Sequence, residues 1–191
     1  KPLRIIVAFG PGSFNDIAAR ELARHMGEIL GQPMIVENRP GAGGSVGTDV
    51  VAKAAPDGST IGLGTSSQMV MNVGLYRNLP FDVERDLRLI GLVGRTPLVL
   101  AGKAAGAQSL KELIASAKSK PGAVTYGSGG TGSISHIVGE AFARAADVQL
   151  THVPYKGSAM ATMSVLSGET QVAFNNPTSS MPHIKAGRLR L

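Results

Sequence analysis

The chain is 191 residues long, 43% hydrophobic, and carries a formal charge of +6. That composition supports a packed core and argues against disorder, and no apolar run reaches the ~18 residues that a membrane-spanning helix needs. Cysteine is absent, which removes disulfides, thiol nucleophiles and thiolate metal sites.

The positive balance raises nucleic acid as a partner. Lys and Arg are scattered, however, and aromatics are only 4% with no Trp, so there is little to stack on bases. A mild positive field that draws in small anions fits better, and no nucleic-acid partner is expected. The chain begins at Lys1 with neither an initiator Met nor a signal-peptide pattern, which we read as the removal of whatever came first.

Strand-like and helix-like segments alternate from the start. "LRIIVAF" reads as a buried strand, and the helix after it places Ile17, Ala18, Leu22, Met26, Ile29 and Leu30 on one stripe before Gly31 stops it. "PMIVEN" is a second strand, "RPGAGG" a glycine-rich loop, "SVGTDVVAKAA" a short helix, "PDGS" a turn and "TIGLGT" a third strand. "SSQMVMNVGLY" is polar and then helical. Two apolar runs, "LRLIGLVG" and "PLVLAG", are parted by "RTP", where we place the domain boundary. "SLKELIASAKSK" opens with Ser109 and has Glu112 three residues on, a capping box. Strand, glycine loop and helix follow in "AVTYGSGGTGSISHIVGEAFARAA", then strand, helix and strand in "VQLTHVPYKG", "SAMATMSVLSG" and "TQVAFNN". "SSMPHIKAG" is a last short helix. "RLRL" begins a strand that lacks a neighbour, so the chain is expected to stop short of a complete architecture. The alternation predicts an α/β fold with parallel sheets and helices on both faces, and ligands at the carboxyl ends of strands.

Several motifs are weighed and set aside. Gly127, Gly129 and Gly132 match a dinucleotide fingerprint, with Asp147 at the right distance, but Asp147 precedes its strand instead of ending it. Gly43, Ser45 and Gly47 match a nucleophile elbow, yet the preceding loop is long and flexible, and Ser45 reads as a helix start. His25, His136, His152 and His183 lack mutual metal-ligand spacing; His25 reads as solvated and His136 as a brace for the glycine loop. No catalytic residue set, cofactor or metal is expected.

One device remains. "GPGSFND" and "GSGGTGS" each follow a strand and open a helix, one in each half. Such loops serve as plain turns or as cups whose unpaired amides meet an anion. Ser13 in one, and Ser128, Thr131 and Ser133 in the other, add hydroxyls. "TSSQ" (Thr65, Ser66, Ser67) and "FNNPTSS" (Asn175, Asn176) stand at equivalent strand ends. Two cups argue for a solute with an anion at each end, most simply a C4 to C6 dicarboxylate or an acidic amino acid.

The stretches "VENRPGAGGSVGTDVVAKAAPDGSTIGLGT", "LYRNLPFDVERDL", "GSGGTGSISHIVGEAF", "HVPYKGSAMATMSVLSGETQVAF" and "PHIKAG" carry a resemblance along the whole chain. It resembles the Bug family, the extracytoplasmic solute-binding proteins of tripartite tricarboxylate transporters. The resemblance implies a two-lobed clamshell, residues 1–96 and 97–191, that closes on a small carboxylate in the periplasm and hands it to membrane permease subunits. It maps a first-lobe loop onto Pro11, Gly12, Ser13, Phe14, Asn15 and Asp16, where Ser13 replaces a glycine and Phe14 is bulky enough to narrow the pocket. Asp16 is expected to cap amides at the helix start. The second-lobe loop maps onto Ser128, Gly130, Thr131, Gly132 and Ser133, with Tyr155 and Lys156 beside it. Family members continue by roughly 100 residues, about one small domain, which implies a truncated chain with an incomplete first lobe. The full-length protein is then expected to be a monomer, and the shortened chain to self-associate. The alternative function is a nucleotide-binding oxidoreductase using "GSGGTG".

Overall fold

The computed structural model describes residues 2–191, which divide into two compact units between Arg95 and Thr96. In the first unit β1 (Leu3–Val7) lies between β2 (Met34–Asn38) and β3 (Thr60–Leu63), all parallel. Helix α1 (Phe14–Leu30) follows β1, and α2 (Ser45–Ala52) follows a short 3-10 turn at Ala42–Gly44. Beyond β3, a π-type turn at Ser67–Met71 runs into α3 (Asn72–Leu75), and α4 (Val83–Asp86) comes last.

Helix α1 starts and stops as its sequence dictates. Ser13 caps the amide of Asp16, and Gly31 ends the helix in the left-handed region at φ 64°. Its buried face differs from the expected stripe. Ile17, Ile29 and Leu30 are exposed at 43%, 82% and 49%, while Ala19 and Ala23 are buried against Ile5 and Val7, with Leu22 beside them. The reason is close approach. Ala19, Ala23 and Gly27 recur every four residues, and a methyl on Gly27 would stand 3.3 Å from the carbonyl of Gln32. Small side chains let the helix axis sit near the sheet, and that geometry outranks bulk hydrophobicity.

The second unit holds β4 (Val99–Lys103), α5 (Leu110–Ser119), β5 (Thr125–Ser128), α6 (Ile134–Ala145), β6 (Thr151–Pro154), α7 (Ser158–Ser167), β7 (Val172–Asn175), α8 (Pro177–Lys185) and β8 (Leu189–Arg190). Its strand order is β6-β5-β7-β4-β8. Strands β5, β6 and β7 are parallel, but β4 runs antiparallel to both β7 and β8, so the sheet is mixed and not wholly parallel. The terminal "RLRL" strand does have a neighbour, since Gly102 and Lys103 of β4 pair with Arg190 and Leu189. Of the two apolar runs before it, only "PLVLAG" enters the sheet; residues 87–98 form no regular element and expose Leu89, Ile90 and Leu92.

Both faces of this sheet are covered. Tyr126, Phe174 and Val172 pack against Leu113 and Ala117 of α5 and Val138 and Phe142 of α6. Ala173 on the opposite face meets Ala161 and Val165 of α7. The alternation along β7 follows from the two-residue period of a strand. Ser109 caps α5 by accepting from the Glu112 amide at 3.2 Å, and Glu112 reaches back to the amide of Gln108, one residue beyond the usual capping box.

Candidate functional site

In the first unit, loops leave the carboxyl ends of all three strands. After β1, the Ser13 hydroxyl accepts from the Asp16 amide at 3.3 Å, and Asp16 Oδ2 accepts in return from the Gly12 amide at 3.0 Å. Asp16 is buried, and it also accepts from Arg20 Nε at 3.2 Å and Asn38 Nδ2 at 2.9 Å. Asn38 reaches it from the end of β2 and donates to the Phe9 carbonyl as well. Burial alone raises the Asp16 pKa, but Arg20, the Gly12 amide and Asn38 outweigh it and hold the carboxyl below its ordinary value. Asp16 thus fastens the loop and keeps its charge.

The second unit repeats this arrangement with a different acceptor. The Ser133 hydroxyl accepts from the His136 amide at 3.3 Å, and His136 Nδ1 accepts from the Gly132 amide at 3.3 Å. The shared pattern is Gly-Ser-x-x-acceptor: Gly12, Ser13 and Asp16 in one unit, Gly132, Ser133 and His136 in the other. Further bonds close the second loop. The Gly129 amide donates to Ser135 Oγ at 2.8 Å, the Gly130 amide to Ser128 Oγ at 3.1 Å, and Ser128 Oγ lies 2.6 Å from His152 Nε2. Beneath it the His136 and His152 rings stack at 4.1 Å, and His152 stacks on Tyr126 at 4.9 Å. Burial, and then the neighbouring His136, push the His152 imidazole down to about 4, so it is neutral at ordinary pH. Burial also pushes the Tyr126 hydroxyl up, reinforced by Glu140, to which it donates at 2.5 Å.

These bonds correct the picture of loops lined with unpaired amides. The amides of Gly12, Gly129, Gly130 and Gly132 are all taken by side chains of their own loops, because a loop packed on one side must satisfy its own backbone. At the helix starts, the amides of Phe14 and Asn15 in the first unit and Ser135 in the second are not used in these bonds. Ser13 and Ser133 serve as helix caps.

The other expected residues fall into two groups. Pro11, Gly12, Ser66, Thr131 and Lys156 are exposed on their loops, and Phe14, Thr65, Gly130, Tyr155 and Asn176 are partly so. Asn15, Ser67, Ser128, Gly132 and Asn175 are buried. The loops at Ser128–Gly132 and Tyr155–Gly157 touch, since Tyr155 donates its amide to the Ser128 carbonyl at 3.1 Å. Asn175 turns toward α7 and donates to Thr162 Oγ1 at 2.9 Å. Two side chains that sequence reasoning missed lock the first-unit loops. Gln68 Oε1 accepts from the Thr65 amide at 2.8 Å, and Asn72 Nδ2 donates to Ser45 Oγ at 2.9 Å. Their four-residue spacing was the only sequence signal. Ser45 is buried in that role at the start of α2. Asp147 lies past the far end of α6, away from Gly127, Gly129 and Gly132. Among the described residues no cluster of His, Asp or Glu is placed to hold a metal ion.

A family model described as "Tripartite tricarboxylate transporter family receptor" matches residues 18–191. The protein BugT of Bordetella pertussis (strain Tohama I) is 38% identical over 192 residues, covering all of this chain and 59% of BugT. A solved structure described as that of a periplasmic transporter is 40% identical with a TM-score of 0.93, covering 99% of this chain and 64% of that one. R. palustris Rpa4515, solved with adipate, is 30% identical with a TM-score of 0.94 and the same coverage. The chain thus spans about three-fifths of the length of the curated relatives it matches. Its α/β fold is that of these periplasmic receptors, and these matches do not support the nucleotide-binding oxidoreductase alternative. The chain belongs to the tripartite tricarboxylate transporter receptor family.

Proposed function

We propose that the protein is an extracytoplasmic solute receptor, periplasmic in location, that captures a small dicarboxylate and passes it to membrane permease subunits without catalysing a reaction. The observation that carries this reading is the recurrence of one loop design, Gly-Ser-x-x-acceptor, at a strand's carboxyl end in each unit. Each loop opens a helix of more than ten residues, whose positive end favours a carboxylate. In this reading the amides of Phe14 and Asn15 meet one carboxylate, with Pro11 and Thr65 to Ser67 beside them. That of Ser135 meets the other, with Thr131, Tyr155, Lys156 and Asn176 alongside. Lys156 is exposed and forms no ion pair with a carboxylate among the described residues, so its charge is available. Adipate, which the R. palustris relative was solved with, has the two anionic ends this requires.

Hydrogen bonds to charged groups contribute ~1.5–3 kcal/mol each. Removing one carboxylate should therefore cost on the order of 2–4 kcal/mol, or roughly 30- to 1,000-fold in affinity. Calorimetric titration with adipate and with hexanoate measures this difference. Equal affinities would overturn the two-ended reading.

A further inference from the structure

We propose that the amino-terminal edge of the second unit's sheet is a docking surface for an anionic lipid bilayer. The chain's charge is unevenly divided. Up to Arg95 there are ten Lys and Arg against nine Asp and Glu, and from Thr96 onward nine against four, a net of five positive charges in the second unit. Pairing sharpens the contrast. In the first unit Arg4, Arg20, Arg24, Arg39, Lys53 and Arg85 each meet a carboxylate. Among the described residues no Lys or Arg of the second unit does; its one acid-base contact is His136 with Glu140 at 3.9 Å.

Topology gathers these cations at one end. The ligand loops follow the carboxyl ends of β5, β6 and β7. Because β4 is antiparallel to β7, its last residue, Lys103, lies at the opposite edge, where it pairs with Leu189. Arg188 and Arg190 flank Leu189, and the Arg190 guanidinium reaches Gln108, just ahead of α5. The far end of α5 returns to the same edge, since Gln171 donates to the Ala123 carbonyl. That brings Lys111, Lys118 and Lys120 there, and the ends of α6 and α8 add Arg144 and Lys185. Three acids, Glu112, Asp147 and Glu169, share the edge, so nearly the whole charge of the unit sits away from its ligand loops. Helix-end stabilisation explains Lys118, Arg144 and Lys185, each in the last turn of a helix. Arg190 bonds the Gln108 carbonyl and Arg188 lies 2.7 Å from His183 Nδ1, which leaves Lys103, Lys111 and Lys120 without a bonded partner among the described residues.

The character of the surface selects the partner. Seven of the eight side chains are exposed and Arg190 is partly so. A protein interface is built around a desolvated aromatic or Arg anchor, but Tyr126, Phe142 and Phe174 belong to the unit's packed interior and Tyr155 follows the carboxyl end of β6, at the opposite edge. Dispersed, solvated cations suit a dispersed layer of anionic headgroups, where each contributes about a fivefold gain in partitioning.

The test is sedimentation of the protein with phosphatidylcholine vesicles, with and without phosphatidylglycerol, at low and high salt. Binding is expected only with phosphatidylglycerol, and high salt should abolish it. Lys118→Glu, Lys120→Glu and Arg188→Glu together should lower it by about 100-fold or more. The reversal of Arg77, Arg88 and Arg95 to Glu, equal in charge but in the first unit, should retain most of the binding, with both variants checked for unchanged circular dichroism. Three results would overturn the proposal: no binding to phosphatidylglycerol vesicles, equal loss in the two variants, or retention by immobilised polyglutamate without vesicle binding. The last would assign the surface to an acidic protein.

Discussion

Asp16→Ala measures how much the first loop depends on its internal acceptor. The carboxylate is 4% exposed and accepts from the Gly12 amide, Asn38 Nδ2 and Arg20. Hydrogen bonds to a charged group contribute ~1.5–3 kcal/mol each, but the three are not equal here. The Arg20 side chain is 55% exposed, so its share falls to roughly 0–1 kcal/mol. Asn38 keeps the Phe9 carbonyl, and the Gly12 amide lies at an exposed residue that water reaches. The expected loss is about 2–3 kcal/mol, with Asp16→Asn costing about half as much because one acceptor oxygen survives. The pH dependence has a definite sign. The folded carboxyl is held below its ordinary value of 3.8, so its stabilisation is present above that value and disappears as the pH falls through the folded pKa. Urea unfolding followed through first-unit amide signals, at neutral and at acid pH, reads both effects. A loss below about 0.5 kcal/mol at neutral pH, or one that persists undiminished in acid, would refute the reasoning.

Three further outcomes follow from the packing. Gly139→Val should destabilise the second unit by roughly 1–3 kcal/mol in thermal unfolding, since a methyl there would stand 2.7 Å from Cζ of the fully buried Tyr126; an unchanged transition would refute the close approach. His152 has a folded pKa of about 4 against an ordinary 6.5, so its contribution is complete above about pH 6.5 and is lost as the pH falls through about 4. His152→Gln should flatten the stability slope across that window, and a retained slope would place its origin elsewhere. Asn72→Ala strands buried Ser45 Oγ and the Gly43 carbonyl, and a loss of about 1–3 kcal/mol is expected in the same thermal assay.

Local chemistry was legible in the sequence, and tertiary direction was not. Gly31 and Ser109 mark helix ends through backbone needs that travel with the residue itself. The buried face of α1 escaped because a count of apolar residues rewards Ile29 and Leu30, whereas docking distance rewards Ala19, Ala23 and Gly27. The antiparallel course of β4 escaped because a short apolar run carries no sign of strand direction. Its reversal also supplies the neighbour that "RLRL" had seemed to lack.

The same division runs through the candidate site. Both glycine loops were visible because Gly, Ser and Asn cluster between a strand and a helix, and Asp16 was readable as a cap because a bare carboxylate would repel an anionic ligand. Residues acting across long sequence separations were not: His152 meets Ser128 over 24 positions and Asn72 meets Ser45 over 27. The deeper consequence concerns charge. The two loops share one frame, yet the first fastens its glycine amide with a carboxylate and the second with an imidazole. A ligand carboxylate near the first loop must approach a fixed negative charge that Arg20 offsets at 3.0 Å, whereas the second loop has an imidazole nitrogen in that place, with Lys156 on the adjoining loop. In the proposed reading, the two ends of a dicarboxylate therefore meet unequal fields. Monocarboxylates should be held mainly by the second unit, so Lys156→Ala should weaken a monocarboxylate by a larger factor than Arg20→Ala does. Nuclear magnetic resonance titration with hexanoate, following amides of both loops, separates the two, and equal or reversed sensitivity would show that Arg20 already balances Asp16.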